Sequence, residues 1–560
     1  MIKSGQLPAG ILDEIVFRQL VPNFRLGIYD HPPSGNPDAN VSTQAHVHLA
    51  REIAADGAVL LKNSGNVLPL TAKIKSIAVI GDDAGPDATV METGSAGVHV
   101  MHLSVPLEAI RARAGSKVNV MYARGTLGIG PLPAIPADVL APPSARQGRG
   151  LLARYYSSAD WSGEPVVTRI DPAIDFSGAP VSQFNRPLGA GGPGAPSRPL
   201  WSALWTGTIT PPVTGLYRFS ITCGGTAQLF VDDKAVVSLM RADFPMTSQG
   251  LIHLVASRAV PIELKYSSAS NLLGRGIKVG WQPPDPAMLS AAVDAARKAD
   301  VAIVFVSEQM GEGHDDISLQ LPGDQDRLIE AVANANPRTV VVLNTSNPVA
   351  MPWLGRVAAI MEAWYPGQEA GASIASVLFG DVDPSGKLPV TFPRDAQQGP
   401  ARNFLEYPGD GHTVDFDEGV LVGYRWYDAE HETPLFPFGF GLSYTTFKYS
   451  GFSLSGVGAN RSVRIEITNA GARAGAEVAQ LYLGFPEEAG EPPRQLKGFE
   501  KVFLKPDESR SVTFTLDRQA LSAWSADAGE WQAYGGKYIV EVGSSSRDIR
   551  AKASFTLAGP

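Results

Sequence analysis

"PAMLSAAVDAARKADVAIVFVSEQMGEGHDDISLQLPGDQDRLIEAVANANPRTVVVLN", residues 286 to 344, decides the fold. Leu289, Ala292, Val293 and Ala296 recur at the spacing of one helix face, and the run gives way to "VAIVFV", a short unbroken apolar strand. A glycine-bearing polar loop follows, then a second helical pattern ("DQDRLIEAVANAN") and a second apolar strand ("TVVVLN"). Short buried-type strands that alternate with helices predict a parallel or mixed α/β sheet.

The same alternation extends in both directions. Upstream, "STQAHVHLAREIAAD" predicts a helix that stops at Gly57, followed by strands at "AVLLKN" and "SIAVIGDD". Downstream come "AAIMEAWYPG", a small-residue helix through Leu378, and "GKLPVTFP". Between the two halves, the Pro/Gly-rich stretch "GIGPLPAIPADVLAPPSARQGRG" (128–150) leads into alternating strands such as "GLYRFSITCGGTAQLFVDD". Turns recur there every eight to twelve residues and helical periodicity is absent, which predicts an inserted all-β sandwich. From Phe447 onward, "RSVRIEITN", "EVAQLYLGF", "ESRSVTFTL" and "GKYIVEVGSS" alternate with period two, giving a further all-β domain. The expected fold class is therefore α/β plus all-β. Residues 41–145 and 285–395 form the two parts of an α/β sandwich, and 146–284 form the inserted β-sandwich. Residues 396–445 make an irregular, aromatic-rich linker, and 446–560 make the C-terminal β-domain. Ahead of them, "ILDEIVFRQLV" (11–21) has helical spacing that Pro22 is expected to end.

Bulk properties narrow the class. A chain of 560 residues is too long for one core. Its 58 Gly and 44 Pro favour turns and β-rich parts over helical bundles. A net charge of −9 without any basic stripe argues against a nucleic-acid partner. No apolar run reaches the length of a membrane span, so no membrane partner is expected. The opening "MIKSGQLPAGILDE" has no apolar signal core, and the compartment stays open between periplasmic or extracellular and cytoplasmic. The single cysteine, Cys223, excludes an internal disulfide and a multi-cysteine metal site, and its strand pattern reads as an inert core thiol.

In an open α/β sheet, ligand sites lie beyond the carboxyl ends of the strands. "VAIVFV" delivers its loop to such an edge, and Glu312 sits on that loop between Gly311 and Gly313. A partly desolvated carboxyl there would hold its proton near neutral pH, as a general acid must. From position alone, a solvated loop acid and a proton donor are both open readings, and Glu308, Asp315 and Asp316 crowd the same loop. Other patterns carry less. "GTLGIG" (125–130) is followed by prolines rather than a helix, so a dinucleotide loop is not expected. His46 and His48 lie two apart on a helix, do not share a face, and read as surface residues rather than zinc ligands. Asp232 and Asp233 could ligate calcium, but a β-turn after a strand explains the pair more simply. No cofactor and no metal are expected.

Several stretches in order are similar to one known family: "DGAVLLKNSGNVLPL", "IAVIGDDAG", "GEGHDDISLQLPGDQDRLIEAV", "VVVLNTSNPVAMPW", "AWYPGQEAGASIASVLFGDVDPSGKLPVTFP", "EGVLVGYRWYD" and "PLFPFGFGLSYTTF". Together they resemble the C-terminal half of glycoside hydrolase family 3, the β-glucosidase family, from Val41 to the end. The inserted sandwich resembles the protective-antigen-like domain of some members, and the last domain their fibronectin type III-like module.

The resemblance implies a retaining mechanism with two carboxylates: an aspartate nucleophile on an N-terminal (β/α)8 barrel and a glutamate acid/base on the α/β sandwich. The family loop often reads E-G-x-D-R. Here "EGHDD" matches at Glu312, Gly313 and Asp315, while Asp316 replaces the arginine. Glu312 is the implied acid/base and Glu308 the runner-up. No nucleophile is expected in this chain: "SADW" (158–161) lies in the inserted sandwich and reads as a decoy, and no substrate-binding residue is assigned. Residues 1–40 resemble the barrel's exit helix and linker, so the chain is expected to begin where a barrel would end and to be inactive alone. The implied partners are a β-linked glucoside or oligosaccharide and a barrel domain or subunit, in cis or in trans, with a homo-oligomer also open. The alternative is a non-catalytic carbohydrate-binding or subunit-association module derived from such an enzyme.

Overall fold

The computed structural model describes residues 4, 8–32, 34–36, 39–86, 88–91, 97, 100, 102–143, 148–176, 201–268, 276–312, 318–407, 409–410 and 412–559. Residues 1–49 and 50–560 form two compact units. In the first, α1 (Ala9–Arg25) continues through Pro22, where the sequence pattern predicts its end. A proline removes its own amide donor and crowds the preceding turn, but leaves later hydrogen bonds available. The helix gains one more turn, closed by the Leu26 N–H on the Pro22 carbonyl at 2.9 Å.

After α2 (Gln44–Gly57), the second unit builds β1 (Val59–Asn63), β2 (Ser76–Ile80), α3 (Pro106–Ala114) and β3 (Asn119–Ala123). Eight strands of a separate sheet follow: β4 (Leu140–Ala141), β5 (Leu151–Tyr156), β6 (Val167–Asp171), β7 (Ser202–Ile209), β8 (Gly215–Val231), β9 (Lys234–Leu254), β10 (Val260–Ser267) and β11 (Ile277–Gln282). The first pattern then resumes with α4 (Pro286–Lys298), β12 (Val301–Ser307), α5 (Gln325–Ala335), β13 (Thr339–Asn344), β14 (Ala359–Glu362) and α6 (Ala370–Leu378).

Strands on either side of the eight-strand run join one six-stranded sheet in the order β1-β14-β13-β12-β2-β3, in which only β1 runs antiparallel to its neighbour. Every residue of β12 and β13 is buried, which accounts for the unbroken apolar runs. Ala292, Ala296, Leu328, Ile329 and Val332 cover one face, and Leu107, Ile110, Ile374 and Val377 cover the other. A strand covered on both faces needs no polar alternation.

The second sheet is antiparallel, ordered β11-β8-β10-β7-β5-β6, with β4 on β7 and β9 on β8. Trp205, Tyr217, Phe219, Leu264 and Tyr266 are in its core. The Pro-rich stretch before it is laid along this sheet rather than free of it. Leu140 pairs with Ile209, and the Pro133 carbonyl accepts the Trp281 N–H at 2.9 Å. Arg218 on β8, 2% exposed, joins the two sheets: its guanidinium donates to the Gly128 carbonyl and to Asp324 Oδ1, both at 3.0 Å.

Beyond Phe447, a three-stranded and a four-stranded antiparallel sheet enclose Ile465, Leu481, Leu483, Val540 and Val542. Within the irregular stretch before them lies α7 (Tyr424–Ala429), which the sequence pattern does not predict. At six residues it is too short to display a period, and tertiary burial of Tyr424, Trp426 and Tyr427 holds it. "GKLPVTFP" and "FGFGLSYTTF" lie against each other: the Leu388 N–H donates to the Phe440 carbonyl at 2.8 Å, and Leu442 bridges to Leu60. Asp383 accepts from Ser443 Oγ, the Tyr444 N–H and the Ala476 N–H, tying these turns to the C-terminal sheets.

Candidate active site

Strand β12 ends at Ser307, and α5 opens at Gln325. Those two residues are bonded to each other. The Ser307 N–H donates to Gln325 Oε1 at 2.9 Å, and Gln325 Nε2 donates to the Ser307 carbonyl at 2.7 Å and the Pro322 carbonyl at 3.0 Å. Ser307 still pairs with Asn344 of β13, but the pairing with β2 ends at Val304; Gln325 is 3% exposed, and its amide takes up both backbone groups of Ser307 beyond that end. The loop therefore has a closed base.

The arms of the loop are also held. On the outgoing arm, Glu308 is buried and its Oε1 accepts the N–H groups of Ser346 and Asn347, each at 2.8 Å, in the turn beyond β13. The Tyr365 hydroxyl, from the turn beyond β14, donates to the Glu308 carbonyl at 2.9 Å and accepts the Met310 N–H at 3.1 Å. On the return arm, the Leu319 carbonyl accepts the Ala350 N–H at 2.6 Å. Glu312 follows Gly311 on the outgoing arm and is exposed. Of the four loop carboxyls, then, Glu308 faces into the protein and Glu312 faces solvent. Asp315 and Asp316 lie outside the described residues.

Two carboxyls that the sequence reading did not single out share this sheet edge. Glu362, the last residue of β14, is fully buried; Thr345 Oγ1 donates to its Oε2 at 3.0 Å and the Trp364 N–H to its Oε1 at 2.8 Å. Burial, with a smaller push from the charge of Glu308, holds its pKa well above the usual carboxylate range. Asp83, just past β2, accepts the Thr89 N–H at 2.6 Å and the Asn344 side-chain amide. Burial raises its pKa to about 7 against those hydrogen bonds. A charged residue inside "AIMEAW", and a second acid directly after the strand in "VIGDD", were the available signals.

The remaining candidates stand apart. Asp232 and Asp233 are the two central residues of the β8–β9 hairpin, with φ of 51° and 59°, and Asp232 pairs with Arg258. Such left-handed pairs are what a two-residue hairpin requires. His46 Nδ1 lies 2.6 Å from the Val41 carbonyl. Among the described residues no group of three His, Cys, Asp or Glu is arranged to hold a metal. Asp160 of "SADW" is an exposed turn residue bonded to Ser162. Cys223 is buried, which raises its thiol pKa far above the ordinary value. A cavity of about 630 Å³ beside Phe230 and Glu263 opens on the inserted sheet and contains none of the loop carboxylates.

Comparison with known proteins places this chain in a family. The glycosyl hydrolase family 3 C-terminal domain matches residues 58–444, and the fibronectin type III-like domain matches 477–546. Beta-glucosidase B of Emericella nidulans is 33% identical over 600 residues, a match that covers 100% of this chain and 68% of that protein. A beta-glucosidase of Rhizobium radiobacter is 34% identical, with 99% of this chain and 68% of that protein covered. Among solved structures, DesR, a beta-glucosidase from Streptomyces venezuelae in complex with D-glucose, superimposes with a TM-score of 0.77 at 32% identity. That superposition covers 99% of this chain and 65% of DesR. The chain thus spans about two thirds of the length of the relatives it matches. With the ordered motifs, the mixed sheet and the fibronectin type III-like domain all accounted for, the chain belongs to glycoside hydrolase family 3.

Proposed function

We propose that this chain supplies the acid/base carboxyl of a retaining, exo-acting β-glucosidase, and that the carboxyl is Glu312. The nucleophile then comes from a (β/α)8 barrel, in cis or in trans. The observation that carries this reading is the contrast between the two loop glutamates at the carboxyl end of β12. Glu308 is spent on two backbone N–H groups, while Glu312 stands exposed on a loop whose base is closed. An acid that must reach a departing oxygen has to be accessible yet held in place. The beta-glucosidase names of the relatives support a β-glucoside as substrate.

In this mechanism the two carboxyl groups stand about 5 to 5.5 Å apart. Glu312 protonates the glycosidic oxygen as the nucleophile attacks C1. The resulting carboxylate then takes a proton from the water that hydrolyses the glycosyl–enzyme intermediate. Glu308 serves as an anchor of the loop rather than as an acid. The inserted sheet, read as protective-antigen-like, borders the aglycone side.

The test is Glu312→Ala in an assembly that includes a family barrel. Turnover of alkyl β-glucosides should fall by roughly 10²- to 10⁴-fold. A 2,4-dinitrophenyl β-glucoside should retain its first step, and azide should restore the second. The chain without a barrel should not turn over either substrate at an enzymatic rate. Equal losses on both substrates would overturn the assignment. Turnover by the isolated chain would place the nucleophile within it.

A further inference from the structure

We propose that Tyr365 is a positioning residue for Glu312, acting as a strut that sets the reach of the loop. The inference rests on the acid/base reading of Glu312.

Between the end of β12 and Glu312 the chain has four residues in which to lose its direction. The Tyr365 hydroxyl spans this interval, donating to the Glu308 carbonyl at 2.9 Å and accepting the Met310 N–H at 3.1 Å. It therefore fixes the backbone on both sides of Gln309, three residues before the acid. The strut comes from a distance: Tyr365 follows β14, and β13 lies between β14 and β12 in the sheet. The Glu308 side chain ties the same arm to the turn beyond β13. The arm is thus referenced to two neighbouring strands.

The chain takes up an unusual conformation to deliver this hydroxyl. Trp364 has φ of 57°, in the left-handed region that bulky residues rarely adopt. Such a conformation persists only where the surroundings over-determine it, and it clusters at functional sites. Here the surroundings are visible. The Trp364 N–H donates to Glu362 Oε1 at 2.8 Å, and its indole Nε1 donates to the Gly57 carbonyl at 3.1 Å. The left-handed residue turns the chain out of β14 and leaves the next side chain lying across to the Glu312 loop. Glu362, buried and uninvolved in the chemistry proposed above, acquires a role as the cap of that turn.

Tyr365→Phe tests this with a single oxygen removed and the ring retained. In the barrel-containing assembly, kcat/KM for an alkyl β-glucoside should fall about 10- to 100-fold, the scale expected of a misplaced catalytic group. For a 2,4-dinitrophenyl β-glucoside, which needs no proton, it should stay within about twofold. The alkaline limb of the pH profile should move for the first substrate. In the chain alone, hydrogen exchange of the peptide containing Met310 should quicken. A general structural defect would instead lower both substrates together, and that result overturns the proposal. Glu312→Ala measured alongside separates two failures. If it does not discriminate between the substrates, the acid/base reading falls and the positioning role with it. If it does, and Tyr365→Phe leaves the ratio unchanged, only the strut is overturned.

Discussion

Gln325 and Ser307, which bracket the segment carrying Glu312, exchange two hydrogen bonds of 2.9 and 2.7 Å through one side-chain amide. The first residue of α5 thereby extends the pairing of β12 by one residue and ties together the two ends of the intervening segment. Gln325→Ala removes three hydrogen bonds and strands a buried N–H and carbonyl, each costing about 1–3 kcal/mol when unpaired. Urea unfolding should show a loss of at least ~2 kcal/mol. A change below ~0.5 kcal/mol would mean that water takes over both groups.

Glu308 and Glu312 should separate by phenotype. Glu308→Gln keeps an acceptor toward the Ser346 and Asn347 N–H groups but weakens bonds that a carboxylate strengthens. We expect about 1 kcal/mol of lost stability and no rescue by azide. Azide rescue of Glu308→Gln, with none for Glu312→Ala, would exchange their roles.

Asp83 predicts a pH dependence of stability. Its folded-state pKa, about 7, exceeds the ordinary value of 3.8 because it is buried. Between those values the folded state keeps a proton that the unfolded state has released. This contribution is therefore fully present below about pH 4, is lost as pH rises toward 7, and is level above that. Asp83→Asn should remove this part of the slope, so the variant's stability relative to the parent should be higher at pH 8 than at pH 5 by more than ~1 kcal/mol. Parallel denaturation curves at the two pH values would refute the assignment.

The pair of buried Arg218 and partly exposed Asp324 gives an asymmetric prediction. Asp324→Ala leaves a guanidinium buried without its counter-ion and should cost about 3 kcal/mol or more. Arg218→Met removes the buried charge and leaves Asp324, which is partly exposed and bonded to Thr126, so it should cost less. Calorimetric unfolding of both variants checks the order, and a reversed order would show that the bonds the arginine donates to the Gly128 carbonyl at 3.0 Å and to Gln282 Oε1 at 2.6 and 3.2 Å dominate.

Local periodicity determined much of the architecture without coordinates. The α/β alternation, the all-β run between its halves and the C-terminal β-domain follow from which residues must be covered. Covering is a property of the near sequence, written in periods of 3.6 and 2. Glu312 was likewise visible as an acid on the loop after a strand. What tertiary structure decided was which carboxyl on that loop turns inward. Glu308 and Glu312 differ through the turns at 345–347 and 364–365, which the chain reaches only after a further helix and one or two strands. The partners of Asp83, Glu362, Tyr365 and Gln325 are hidden from the sequence for the same reason. A side chain's period reports that it is buried, but its hydrogen-bond partner is set by strand order, and the order β14-β13-β12-β2 joins segments hundreds of residues apart. Pro22 and α7 went unread for the complementary reason that a single helical turn carries too little pattern to outweigh tertiary packing.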